Sequence, residues 1–73
     1  MKVIIETTNS SQPITVKNLK YISVVDEDDN AEIIKDNFEA FLLLDELQYT
    51  FVGDSILHVL GDRIEYVQFC SDF

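Results

Sequence analysis

The sequence predicts a small α+β domain, with strands at both ends of the chain and one acidic amphipathic helix between them. Three observations carry that prediction. β-Branched runs open the chain, two Gly-Asp pairs separate three strand-like runs at its end, and the middle spaces its carboxylates at helical intervals. The alternative is an all-β meander in which residues 26 to 37 form an acidic loop and a short strand.

Each element has its own warrant. Lys2-Val-Ile-Ile-Glu-Thr7 is rich in β-branched residues, which suit a pleated, half-buried surface. Asn9 to Pro13 reads as a loop and holds the chain's only proline. Strand character resumes at Ile14-Thr15-Val16 and at Tyr21 to Val25, with a break near Asn18. A hairpin between the first strand and this second stretch is the simplest pairing.

Over residues 31 to 44, a rotation of about 100° per residue puts Glu32, Asp36 and Glu39 on one face. Ile33, Ile34, Phe38, Phe41, Leu42 and Leu44 spread over the other, while Asn37, Leu43 and Asp45 fall on the wrong sides. Asp29 followed by Glu32 has capping-box spacing, and early carboxylates suit the positive end of a helix dipole. A strand reading exists too: Asp36-Asn37 can turn, and Phe38, Ala40, Leu42 and Leu44 can alternate inward.

Tyr49 to Val52, Ser55 to Leu60 and Ile64 to Phe69 read as an antiparallel three-stranded meander. Gly53-Asp54 and Gly61-Asp62 stand where tight hairpins need a residue that tolerates positive φ. Tyr66-Val67 breaks the alternation, as a bulge does.

Seventy-three residues make one domain. A chain this short buries only about 60% of the surface its unfolded form exposes. A single cysteine, Cys70, allows no intrachain disulfide, and the lone histidine gives no zinc set. The core must come from the 47% hydrophobic residues and eight aromatics, which also exclude a disordered acidic tail. Oligomerisation is the other remedy for a small core. The apolar run after Met1-Lys2 is only Val3-Ile4-Ile5, too short for a signal peptide or a membrane span. A free thiol without such a signal points to the cytosol.

The charge is concentrated. Residues 26 to 46 hold nine of the fourteen carboxylates against Lys35 alone, within a chain of net charge −9. Such a surface repels nucleic acid and anionic membrane, and it attracts basic protein surfaces or cations.

Catalytic chemistry is sparse, and the expectation is no enzyme and no cofactor. Ser55 and His58 point to opposite faces of a strand, which separates nucleophile from base, and His58 reads as a partly buried structural residue. Cys70 has no basic neighbour closer in sequence than Arg63, and Asp72 opposes its thiolate. Asp26-x-Asp28-x-Asn30 opens like a calcium loop, but Ala31 stands where that loop needs glycine and Asn37 where it needs glutamate.

The expected function is therefore a non-enzymatic acidic interaction protein, an inhibitor that offers carboxylates to the basic groove of a nucleic-acid-binding protein. Its contact residues would be Asp28, Asp29, Glu32, Asp36, Glu39 and Glu46. The alternative is a structural subunit that pairs through strand edges, with itself or another protein, using Ile64 to Phe69 and Phe73. A weaker alternative is a divalent-cation binder at Asp26 to Asp29.

Overall fold

The β-branched and aromatic runs all become strands, and the computed structural model describes residues 1–71. Asp72 and Phe73, the terminal residues invoked above, lie outside the described residues. In chain order the strands are β1 (Lys2–Thr7), β2 (Ile14–Val16), β3 (Tyr21–Val25), β4 (Ala31–Ile34), β5 (Gln48–Val52), β6 (Ile56–Leu60) and β7 (Ile64–Cys70). They form two antiparallel sheets, ordered β2-β1-β7 and β4-β3-β5-β6. Both sheets turn their apolar faces to one core of Val3, Ile5, Val16, Ile22, Tyr49, Phe51 and Ile64.

The break near Asn18 is real. Asn18 takes a left-handed φ of 53°, which asparagine tolerates better than most residues. The chain turns there from the first sheet into the second. The corner is clamped to the β5–β6 turn: Asn18 Nδ2 donates to Asp54 Oδ2 at 2.8 Å, and the Asp54 N–H donates to the Lys17 carbonyl at 2.8 Å. Of the second strand stretch, only β2 pairs with β1; β3 belongs to the other sheet.

The acidic helix expected over residues 31 to 44 is not formed, and the all-β alternative fits better. Residues 31–34 are instead the edge strand β4, paired with β3 from Ile22↔Ile34 to Val25↔Ala31. Asn37 at φ 54° interrupts any right-handed helix, leaving one 3-10 turn at Phe38–Ala40. The physics agrees with this outcome. A helix would have set Glu32 against Asp36 and Asp36 against Glu39 at spacings where like charges repel. One of this length is marginal in water, whereas β4 completes a hairpin. Asp29 caps no helix; it takes φ 64° inside the β3–β4 turn.

The three-stranded meander also needs correction. β5 and β6 pair as a hairpin, but β7 crosses to the other sheet and pairs with β1. Neither glycine has positive φ. Each is required for close approach instead. A Cβ on Gly53 would lie 2.5 Å from the Lys17 carbonyl oxygen, and one on Gly61 would collide with the Leu44 carbonyl oxygen. The bulge in β7 lies at Glu65, one residue before Tyr66-Val67, because Glu6 faces Tyr66 while Thr7 faces Ile64. That extra residue leaves Glu65 and Tyr66 both outward, while Ile64 packs in the core and Val67 and Phe69 pack against it.

The connection from β4 to β5 closes the open side between the sheets. Phe38 stacks on Phe69 with centroids 5.2 Å apart, and Phe41 meets Tyr49 at 5.4 Å and Phe69 edge-on at 5.5 Å. Leu43 and Leu47 pack against the core, and the backbone of Leu42 and Leu44 is tied to one phenol. Tyr49 Oη donates to the Leu42 carbonyl at 2.9 Å and accepts from the Leu44 N–H at 2.9 Å.

Candidate acidic interface

The β3–β4 turn is built by its own carboxylate. Asp26 Oδ1 accepts from the N–H groups of Asp28 at 2.9 Å and Asn30 at 3.0 Å, and Asn30 Nδ2 donates to Asp26 Oδ2 at 3.3 Å. The Asn30 N–H is the main reason the Asp26 carboxyl lies below its ordinary value, with the Asp28 N–H and the Asn30 amide adding to it. Closing the turn in this way pushes Glu27, Asp28 and Asp29 outward. The calcium-like spacing is thus used for turn formation. Among the described residues no group of three or more His, Cys, Asp or Glu side chains is arranged to hold a metal ion.

Strand register then gathers the charge. Val25 faces Ala31 on one side and Gln48 on the other, and Gln48 faces Leu60, so these residues mark one end of the four-stranded sheet. The connections leaving that end span residues 26–30, 45–47 and 61–63. They hold Asp26, Glu27, Asp28, Asp29, Asp45, Glu46 and Asp62 against one cation, Arg63. The Gly61 N–H donates to the Leu47 carbonyl at 2.8 Å, which ties two of these connections together.

At the opposite end, where Tyr21 faces Val52 and Val52 faces Ile56, lie Lys17, Lys20 and Lys35 with Asp36 and Asp54. The Leu19 N–H donates to the Met1 carbonyl at 2.8 Å, which brings the Lys2 end of β1 to the same side. The molecule is electrostatically polarised, with a carboxylate end and a lysine end.

The six residues expected to form one stripe divide between these ends. Asp28, Asp29 and Glu46 come together at the carboxylate end, all exposed. Glu32 lies one residue into β4, opposite Val24, and lines a depression of about 300 Å³ with Asp26, Asn30 and Leu47. Asp36 and Glu39 lie past the far end of β4 and line a separate groove beside Lys35 and β7. Sequence reasoning left Asp45 and Asp62 out of the site. Only the strand register carries them to it.

His58 is exposed on the outer face of the sheet, contrary to the partly buried position expected for it. Its Nδ1 lies 2.8 Å from Thr50 Oγ1, across the β5–β6 ladder rather than toward Ser55. Among the described residues no helix is long and apolar enough to cross a membrane. No family model, curated protein or solved structure matches the chain.

Proposed function

We propose that this chain is a non-enzymatic interaction protein whose carboxylate end docks on a basic protein surface, the groove of a nucleic-acid-binding protein being the best fit. The observation that carries this reading is the convergence of seven carboxylates, from three separate connections, on one end of the sheet. A charge distribution with lysines held at the other end orients the molecule as it approaches a basic groove and speeds encounter. Solubility requires no such segregation, since a dispersed mixed-sign surface provides it with less self-repulsion.

Two sets of amide variants separate the ends. Asp28→Asn, Asp29→Asn and Glu46→Gln together remove three of the seven charges at the carboxylate end; Asp36→Asn and Glu39→Gln remove the two of the far groove. Proteins captured from a cell lysate by wild type should be released by added duplex DNA and lost with the first variant, yet kept by the second. Capture that survives the first variant, or that DNA does not compete, refutes the reading. Binding should also weaken with salt, less steeply than DNA binding does, because a folded protein releases fewer condensed counterions.

A further inference from the structure

We propose that β7 is a self-pairing edge, through which two copies of this chain join antiparallel about a twofold axis at Gln68. β7 is the longest strand and ends the order β2-β1-β7, so one side of its backbone is presented at a sheet edge. Proteins ordinarily blunt such edges with charge, proline or brevity. The other edges partly comply: β4 is four residues long and carries Glu32, and β2 is three residues long between Pro13 and Lys17. β7 beyond its bulge, from Tyr66 to Cys70, has no charged residue and no proline.

Along this edge runs a groove of about 700 Å³, lined by Phe38, Val67 and Phe69 with Lys35, Asp36 and Glu39 among its polar residues. The uncharged edge β6 shares only a smaller depression of about 310 Å³ with β5, and its own midpoint would set His58 against His58.

A second copy fits this edge in three respects. The regular part of β7 is five residues long and centred on Gln68. Antiparallel self-pairing about that centre sets Val67 opposite Phe69 of the second copy on the inner face. It sets Tyr66 opposite Cys70 and Gln68 opposite Gln68 on the outer face, so no like charges meet between the paired strands themselves. The third respect is polarity. β7 runs from the carboxylate end, at Asp62 and Glu65, toward the lysine end, where Lys2 faces Cys70 across the ladder and Lys35 lines the groove together with Asp36 and Glu39. An antiparallel pair brings the carboxylate end of each copy beside the lysine end of the other. Isologous interfaces require this kind of self-complementarity.

The test is sedimentation equilibrium at physiological salt, where net repulsion between two −9 chains is screened within about 8 Å. Wild type should show twice the chain mass at high concentration. Gln68→Lys and Gln68→Glu, both at an exposed position, should each weaken the dimer by about tenfold or more, because like charges then meet on the axis. Mixing the two variants should restore a heterodimer, with circular dichroism reporting that each variant is folded. A wild type that stays monomeric up to about 1 mM overturns the proposal and leaves the edge to a strand from another protein. A dimer indifferent to both substitutions also overturns it.

Discussion

Replacing Tyr49 with Phe removes one oxygen and should loosen a whole connection. The ring is 1% exposed, and Phe preserves its contacts with Phe41 at 5.4 Å and Phe51 at 6.3 Å. What is lost are the two hydrogen bonds to the Leu42 carbonyl and the Leu44 N–H, both 2.9 Å. At about 0.5–1.5 kcal/mol net for each, the cost is about 1–3 kcal/mol. Both bonds are partly buried, so the freed backbone groups are incompletely rehydrated and the whole of that range applies. A domain of 73 residues has only about 4–11 kcal/mol in total, and each kcal/mol lost lowers its Tm by about 4–8 °C. Urea denaturation gives the global figure, and amide exchange at Leu44 gives the local one. A loss within about 0.5 kcal/mol of zero, the range of ordinary surface substitutions, with unchanged exchange at Leu44, refutes the argument that this phenol anchors the segment.

The same phenol predicts an alkaline limit. Burial is the main cause that raises the Tyr49 pKa, and hydrogen bonding to Glu6 is the main cause for Tyr66, so folding favours both neutral phenols. Their contribution is complete below the ordinary tyrosine value and is lost as pH rises through the raised ones; Tyr49→Phe should flatten that limb in pH-dependent thermal melts. Asp26 has the opposite sign: its stabilisation holds above the ordinary carboxylate range and disappears as pH falls through the depressed value, so Asp26→Ala should speed exchange at the Asp28 and Asn30 amides. Gly61→Ala forces a Cβ onto the Leu44 carbonyl and should cost about 1–3 kcal/mol or more in urea denaturation. Asp29→Gly, at φ 64°, should leave stability unchanged or raise it by up to about 1 kcal/mol, and a clear loss argues against the turn as described.

Local chemistry announced most of the strands. The β-branched runs at Val3 to Ile5 and Tyr21 to Val25 and the break at Asn18 follow from propensity, which acts within a few residues. The false helix has an identifiable source. Phe38 and Phe41 are three apart because they flank a 3-10 turn, with the Phe41 N–H on the Phe38 carbonyl at 3.0 Å. An i, i+3 pair of aromatics there copies helical spacing without a helix. The meander misled for a different reason. Nothing within Ile64 to Cys70 states that β1, some sixty residues earlier in the chain, is its partner. Gly61 was visible as a turn residue, but its actual role is set by the Leu44 carbonyl on a distant connection. The acidic site was half legible for the same reason. Composition located the charge in residues 26 to 46, while the register of β3, β5 and β6 decided that Asp45 and Asp62 join Asp28 and that Asp36 and Glu39 do not.

The most direct test of the carboxylate end is a nitrogen-15 shift map during titration with a lysine-rich peptide at physiological salt. Perturbations confined to residues 26–30, 45–48 and 60–63 are the predicted result. Shifts centred on Asp36 and Glu39, or spread evenly over both ends of the molecule, would contradict it.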